Sequence, residues 1–336
     1  MSGTESPSGT LEKELGREVR LVRHRFLARL DPWRPELWRF CRALTGSPWE
    51  AEDLAQETLL RAFAKLAEVH WEVADARAWL FRIAANLWID RQRKRTPVPL
   101  PPGHDQGVEA AQLGPEVREA LHTLARHLPP QERVAVLLKD VFGLELSEVA
   151  RALETSVGAV KAALHRGRGR LSALRAAELP EAEVEAPPAR PAPSPALLDA
   201  FVDAFNARDL PRLAALFAED ALAEVVGMVH EEGRAQIEQG SLHHTLFDEA
   251  GQPRTHWVEW RGERLVLIDY VLPGQGEETR AVQDVLRLEA EGEKVRVLRY
   301  YYFCPQALGE VLSSLGTEWR ENGYRYPMPA GPKSEH

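Results

Sequence analysis

The chain has 336 residues, of which 44% are hydrophobic and 28% charged, and its net charge is −9. This is the composition of a globular protein long enough for two or three small domains. The two cysteines, the absence of a long uncharged apolar run and the polar first ten residues argue against a disulfide framework, a membrane span and a secretory leader. We expect a cytoplasmic protein without a metal site or a cofactor.

Charge is distributed unevenly along the chain. Residues Arg20–Arg95 hold 15 basic and 10 acidic residues, and Glu116–Arg175 hold 10 and 7, whereas Pro195–His336 hold 14 and 24. Two mildly basic blocks followed by an acidic one suggest nucleic-acid binding in the first two blocks only. Chance variation between domains is the alternative.

Two proline-rich stretches divide the chain, because proline at this density stops helices and favours extended linkers. The first is Thr96–Pro115 and the second is Leu179–Pro195. The predicted segments are a disordered lead-in (1–19), a helical domain (20–95), a linker (96–115), a second helical domain (116–175), a second linker (176–195), a third domain (196–304), and a C-terminal helix with a polar tail (305–336).

The first helical domain contains two long helices. Ser47, Pro48 and Glu50 form a helix start with a capping box, and the helix runs to about Leu66. A second helix is capped near Asp75 and ends before Pro97.

The second helical domain ends in a helix-turn-helix pattern. A helix precedes Pro129, and another lies between Pro130 and Gly143. Helices at Leu146–Leu153 and Val157–Leu174 then follow, the last one capped by Thr155-Ser156. Its predicted apolar stripe is Val157, Val160, Leu164 and Leu171.

The third domain is predicted to be α+β, since helices are followed by alternating segments with turn residues between them. The expected helices are Pro195–Ala207, Leu210–Phe217 and, after the sheet, Pro305–Asn322. The expected strands are Thr255–Arg261, Arg264–Leu272, Thr279–Leu288 and Lys294–Phe303.

Two groups of residues in the first domain suggest binding. Asp53, Gln56 and Glu57 share one helix face, which either docks on a basic surface or is simply solvated. The second helix ends with Arg91, Arg93, Lys94 and Arg95, more cations than a helix terminus needs, which favours phosphate contact over a purely structural role. Trp71, just before that helix, either packs in the core or stacks on an unpaired base.

The last helix of the second domain leaves Lys161, His165, Arg166 and Arg168 outside its apolar stripe. Such a helix is able to enter a major groove and contact phosphates on its flanks. His165 is equally well interpreted as a neutral packing residue.

These patterns resemble a known family. Glu52–Thr58 and Ala78–Asp90 are similar to region 2 of the extracytoplasmic-function group of sigma-70 family RNA polymerase sigma factors. Leu128–Arg133, Val149–Leu153 and Val157–Leu171 are similar to region 4 of the same group. The resemblance covers about residues 20–175 and rests on two motifs in the same order as in the family.

The resemblance implies roles for these residues. Asp53, Gln56 and Glu57 would bind the clamp helices of the largest polymerase subunit, and region 4 would meet the flap of the second subunit. The segment Lys65–Arg95 would open and read the −10 element with a flipped base, the last helix would read the −35 element, and the linker 96–115 would run toward the RNA exit path. The expected DNA contacts are Arg77, Asn86, Arg91, Arg93, Lys94, Arg95, Ser156, Lys161, His165, Arg166 and Arg168.

Three features depart from the family pattern. Glu154 occupies a turn position where glycine is common, and Glu145 stands where a capping serine or threonine is usual. Ala159, Ala162 and Ala163 leave the recognition helix with few hydrogen-bonding side chains, so phosphate contacts and DNA shape would contribute more to −35 recognition.

The segment Leu197–Asp220 resembles the opening of a SnoaL-like domain, which implies a cone-shaped α+β barrel with an interior cavity. In this sigma group such a domain implies a fused regulator, expected to contact the sigma domains. His230, His256, Trp260 and Asp269 are candidate ligand-pocket residues, and an Asp–His pair could act as a general base. No spacing brings any two together, so we expect packed or surface residues and no enzyme.

Two other functions stay open on the sequence. One is a DNA-binding regulator acting without polymerase, and the other is a regulator whose C-terminal domain is a small-molecule enzyme or sensor. Charge reversal at the face of Asp53, Gln56 and Glu57 distinguishes the first from a sigma factor, because it should leave polymerase association unchanged in a regulator that acts without polymerase.

Overall fold

The computed structural model describes residues 18, 21–22, 25–66, 75–95, 127–176, 191–249, 252–271 and 280–321. The lead-in 1–17, the linker 96–115, the helix before Pro129, Trp71 and the polar tail lie outside these residues. The chain forms two compact units that divide between Ala182 and Glu183, inside the stretch predicted to be a linker. None of the helices in the described ranges combines the length and the apolar character that crossing a membrane requires.

The first unit begins with three long helices. A 3-10 turn at Asp31–Trp33 leads into α1 (Arg34–Thr45), followed by α2 (Pro48–Leu66) and α3 (Ala76–Arg95). Gly46 ends α1 with a φ of +81°, a conformation that glycine adopts without strain. Ser47 Oγ then accepts a 3.5 Å hydrogen bond from the Glu50 amide, as the capping pattern predicts. The buried side chains of these helices include Leu37, Phe40, Trp49, Leu54, Leu80, Phe81 and Trp88.

The second half of this unit is the predicted helix-turn-helix with one preceding helix. It consists of α4 (Pro130–Val136), which continues as a wider turn through Val141, α5 (Leu146–Ala152) and α6 (Val157–Ala176). Val160, Leu164 and Leu171 are buried. The predicted stripe was wrong at Val157, which is 39% exposed because it lies in the first turn of α6, beyond the packed part of the helix.

The two halves of the first unit pack against each other. The rings of Phe40 on α1 and Phe81 on α3 stack with centroids 4.8 Å apart, and both contact Phe142 edge-on. Arg133 of α4 donates a 3.0 Å hydrogen bond to the Leu44 carbonyl. Aromatic and charged residues therefore join α1 and α3 to the region before the helix-turn-helix.

The second unit is α+β, as the sequence predicts. Its sheet has the strand order β2-β1-β6-β5-β4-β3, in which β1 and β6 are parallel and the other neighbours are antiparallel. The elements are α7 (Pro195–Asn206), α8 (Leu210–Ala214), β1 (Phe217–Val225), β2 (Val229–Glu232), α9 (Arg234–Ile237) with wide turns to Asp248, β3 (Arg254–Trp260), β4 (Glu263–Val271), β5 (Arg280–Glu291), β6 (Lys294–Tyr300) and α10 (Pro305–Ser314).

Both faces of this sheet are covered. On one face α7 contributes Phe201 and Phe205 to a core that also holds Phe217, Tyr270 and Tyr300. On the other face α10 is buried through Leu308, Val311 and other side chains, and Trp260 Nε1 donates a 2.7 Å hydrogen bond to Ser314. The tyrosines and tryptophans of the strands are therefore divided between two layers.

Two predicted helix boundaries in this unit were wrong, and two strands were missed. The helix expected through Phe217 ends at Ala214, and Phe217 begins β1, which pairs in parallel with β6. The strands β1 and β2 were not predicted at all. The helix expected through Asn322 ends at Ser314, because Gly316 has a φ of +66° and Trp319 pairs with Val282 of β5.

Candidate nucleic-acid and polymerase interface

The basic end of α3 is positioned by the opposite, buried side of the same helix. Asp75 Oδ1 accepts a 3.1 Å hydrogen bond from the Ala78 amide and caps the helix, as predicted. Trp79 and Trp88 are buried and fix its rotation. Arg93 and Lys94 are exposed at its end, and Arg93 Nη1 lies 3.5 Å from Asp90 Oδ1. The Arg95 side chain lies outside the described residues.

Arg77 and Asn86, also on α3, contact the second half of the unit. The Arg77 guanidinium donates to Glu36 at 2.6 and 2.9 Å and to the Phe142 carbonyl at 2.6 Å. Asn86 Nδ2 donates a 3.0 Å hydrogen bond to Glu154 Oε1. In this arrangement both predicted DNA contacts are occupied by the protein itself.

The recognition helix α6 is capped by Ser156, whose Oγ accepts a 3.1 Å hydrogen bond from the Ala159 amide. Lys161 is exposed on its outer face beside Gly158 and Ala162, whereas His165 is half-buried. The exposed part of the first two turns therefore presents backbone, small side chains and one ammonium group.

The arginines farther along α6 bind carboxylates of α4 and the turn that continues it. Arg166 Nε and Arg170 Nη1 both donate to Glu132, at 3.0 and 2.8 Å, and Arg168 donates to Asp140 at 2.6 and 3.0 Å. The Glu132 side chain is only 2% exposed. The hydrogen bonds that Arg168 donates to Asp140 raise the pKa of Arg168 above its ordinary value. These contacts hold α6 to α4.

The glycine between these arginines serves the same packing. A Cβ atom at Gly167 would lie 2.9 Å from a methyl group of Val136, so α6 approaches α4 too closely for any side chain there. Arg170 and Gly167 are structural residues that the sequence analysis missed. The signal in the sequence was the alternation of arginine and glycine at 166–170. It places three guanidinium groups near the acids of α4 and of the turn that continues it.

The predicted polymerase-binding residues lie half-buried on α2. Glu57 pairs with Arg91 of α3 at 2.5 Å and with Arg61 at 3.4 Å, so one predicted polymerase contact binds one predicted DNA contact. Gln56 Nε2 donates to the buried Glu52, which Arg34 also binds at 2.8 Å. Glu52 is therefore structural, and it fixes the helix that carries Asp53, Gln56 and Glu57.

In the second unit the structure brings two of the four candidate pocket residues together. His256 of β3 and Asp269 of β4 are 3.8 Å apart, and Arg280 also binds Asp269. Although burial raises the pKa of Asp269, hydrogen bonds from His256 and Arg280 hold it below its ordinary value. Trp260 lies farther along β3. His230 is on β2, at the opposite edge of the sheet, and is exposed.

Comparison with known proteins finds two family models that match the helical unit. Residues 30–97 match the family model described as Sigma-70 region 2, and residues 118–171 match the model described as Sigma-70, region 4. The chain is 30% identical over 155 residues to the ECF RNA polymerase sigma factor SigW of Bacillus subtilis, an alignment that takes in 41% of this chain and 82% of SigW.

Two further relatives come from Mycobacterium tuberculosis. The chain is 34% identical over 230 residues to the ECF RNA polymerase sigma factor SigG, a match that takes in 60% of this chain and spans only 61% of SigG. The solved structure of the extracytoplasmic function sigma factor SigJ matches 82% of this chain and 95% of its own, at 22% identity and a TM-score of 0.32.

Proposed function

Because this chain belongs to the ECF RNA polymerase sigma factors, we propose that it binds core RNA polymerase, directs it to promoters and starts transcription there. The observation that carries this proposal is the presence of both region 2 and region 4 matches, in order, on the two halves of one helical unit. A DNA-binding regulator that acts without polymerase would have no need of region 2.

For the polymerase we propose the face of α2 that holds Asp53, Gln56 and Glu57. It would bind the clamp helices of the largest subunit, while region 4 would bind the flap of the second subunit. The support is geometric: the three residues lie within five positions of α2 and are all partly exposed, and buried Glu52 holds Gln56 through a 2.8 Å hydrogen bond.

For promoter DNA we propose two separate contacts. Arg93, Lys94 and Arg95 at the end of α3 would bind phosphates near the −10 element. Lys161 and the N-terminal turn of α6 would face the −35 element, because Arg166 and Arg168 are already held by Glu132 and Asp140. Arg77, Asn86 and Arg91 would reach DNA only after giving up their present partners.

Transcription in vitro with purified core polymerase tests the proposal. Start sites are mapped for the unchanged protein, for Asp53→Lys and for Asp31→Lys, which reverses an exposed charge outside α2. We expect specific starts with the unchanged protein and with Asp31→Lys, and a loss of polymerase binding of at least tenfold with Asp53→Lys. Equal polymerase binding by all three proteins would contradict the proposed role of Asp53, and absence of polymerase binding by the unchanged protein would contradict the proposed function.

We also propose that the second unit modulates this activity, with no catalytic role. The supporting observation is that it is a separate compact unit joined through the proline-rich segment 176–195. A protein ending at Ala176 should bind promoters as part of the holoenzyme but show altered transcript yield. An unchanged yield would remove the regulatory role.

A further inference from the structure

The face of the sheet covered by α7 contains buried acids with unused hydrogen-bonding capacity. Asp284 of β5 is 1% exposed, and its Oδ1 accepts hydrogen bonds from the amides of Val285 and Tyr301 at 2.7 and 2.9 Å. Its other oxygen accepts no hydrogen bond from the residues the structure describes. Nearby, Glu249 accepts a 2.6 Å hydrogen bond from the hydroxyl of Tyr270.

A tyrosine hydroxyl faces the same group of acids without a partner. Tyr300 of β6 is 3% exposed, and within the described ranges its Oη forms no hydrogen bond. Ser241 lies close to it but donates to Glu231 instead, at 2.7 Å. Tyr300 pairs with Leu286, and Asp284 pairs with Ile268. Because Tyr300, Leu286 and Ile268 belong to one core, Tyr300 and Asp284 lie on the same face of the sheet. A buried polar group left unpaired is costly, so a partner for it is expected.

The acids of this interior differ from the other carboxylates of the unit. Glu263, Asp269 and Glu289 each pair with an arginine: Arg287, Arg280 and Arg299. Among the described residues no lysine or arginine pairs with Asp284, Glu249 or Glu231. The one basic neighbour is the His244 ring, 3.9 Å from Glu249. Within the described ranges these acids therefore have no guanidinium or ammonium counter-ion, and their ionised forms would favour a cation beside them.

We propose that this interior binds a small organic ammonium ion, with Asp284 and Glu249 as counter-ions and the Tyr300 hydroxyl as a hydrogen-bond partner. Tyr270, whose hydroxyl donates to Glu249, also packs its ring against Tyr302, with centroids 6.3 Å apart. Aromatic faces beside carboxylates attract ammonium groups through both charge and ring electrons. A metal ion fits less well, because the described residues include no group of three acids, histidines or cysteines able to hold one.

Binding of the ammonium ion would be linked to proton release. Burial raises the pKa of Asp284 and of Glu249 and so favours their protonated forms. A cation favours their ionised forms. The other titratable groups that face them are Glu231, His244 and the hydroxyls of Tyr270, Tyr300 and Tyr302. The affinity for the ammonium ion should therefore increase as the pH rises through the raised pKa of these groups.

Calorimetric titration of the full-length protein tests this. The probes are methylammonium, tert-butylammonium and tetramethylammonium, with tert-butanol as a neutral molecule of the same shape as the second. We expect saturable binding of at least one ammonium ion, tightening with pH, and none of tert-butanol. Failure of all three ions to bind at concentrations up to about 10 mM, or equal binding of tert-butanol, would overturn the proposal.

Two variants locate the site. Tyr300→Phe removes only a hydroxyl without a partner, so the protein should fold with an unchanged or higher Tm yet bind the ion about tenfold more weakly. Asp284→Asn should weaken binding similarly, whereas Asp220→Asn, an exposed carboxylate of the same unit, should not. Wild-type affinity in Tyr300→Phe would refute the assignment, even if Asp284→Asn failed to fold.

Discussion

Asn86 on α3 donates a hydrogen bond of 3.0 Å to Glu154 in the turn before the recognition helix. Glu154 has a φ of +51°, a left-handed conformation that costs a non-glycine residue about 1 kcal/mol. Glycine is common at this turn position in the family that the sequence resembles. The glutamate therefore carries a strained backbone and, in exchange, joins the turn to α3.

Substitutions at this turn separate the two effects. Glu154→Ala keeps the strain and loses the hydrogen bond, whereas Glu154→Gly loses both. We expect Glu154→Gly to be more stable than Glu154→Ala by about 1 kcal/mol in urea unfolding of the helical unit. Asn86→Ala, which removes only the hydrogen bond, should cost less than about 1 kcal/mol because the bond is exposed. Equal stabilities for the glycine and alanine variants would show that the turn is unstrained.

The two glycines near the end of the recognition helix should respond oppositely to alanine. At Gly167 a Cβ atom would clash with Val136, so Gly167→Ala should destabilise the unit by about 1–3 kcal/mol. At Gly169 nothing lies within 4 Å of the added carbon, so Gly169→Ala should stabilise the helix by up to about 1 kcal/mol. Thermal unfolding followed by circular dichroism measures both, and similar shifts would argue against the close approach of α6 to α4.

Lys161 and Arg168 should differ in whether they act on DNA or on the fold. Lys161→Ala should weaken promoter binding by the holoenzyme, reduce its salt slope by about 1 and leave Tm unchanged. Arg168→Ala should instead lower stability by about 1–2 kcal/mol, since it leaves Asp140 with little exposure and no cation. Filter binding at several salt concentrations, together with Tm, provides the comparison. A salt slope changed by Arg168→Ala alone would reverse the assignment.

The acid interior predicts an unusual pH dependence of stability. Because burial raises the pKa of Asp284 in the folded state, the folded chain holds this proton more firmly than the unfolded chain. Stability from this group is therefore present at low pH and is lost as the pH rises above the ordinary aspartate value toward the raised one. Asp284→Asn should remove this loss. The change in unfolding free energy that it causes in the second unit should be more favourable at pH 8 than at pH 5, by about 1 kcal/mol or more.

Asp269, in the same unit, should give a pH dependence of stability with the opposite sign. The pKa of Asp269 is lowered in the folded state. Its contribution to stability is therefore present above the ordinary aspartate pKa and is lost as the pH falls through the lowered, folded-state pKa. Asp269→Asn should therefore destabilise the protein at pH 7 and have little effect near pH 2. Urea unfolding of both variants at four pH values checks the two signs, and parallel curves would show that neither carboxyl titrates as its surroundings predict.

Sequence patterns predicted α2 to α6 of the first unit and four strands of the second, because their apolar periodicity matches the element that forms, whereas α1 was not predicted. The strand β1 escaped detection since Phe217–Val225 is rich in alanine and acids, which favour helix, and only its pairing with β6 makes it a strand. The structural role of Arg166 and Arg168 was not predicted for a similar reason. Their carboxylate partners lie 34 and 28 residues away, and charge counting alone cannot distinguish a paired arginine from a free one.

The parallel pairing of β1 with β6 has a consequence for the order in which the protein folds. The two strands are neighbours in the sheet but are separated in the chain by the whole of β2 to β5. During synthesis the sheet cannot be completed until Tyr300 has left the ribosome, whereas the helices of the first unit contact partners nearer in sequence and emerge much earlier. A newly made chain therefore holds a folded DNA-binding unit for some seconds before the unit proposed to regulate it exists.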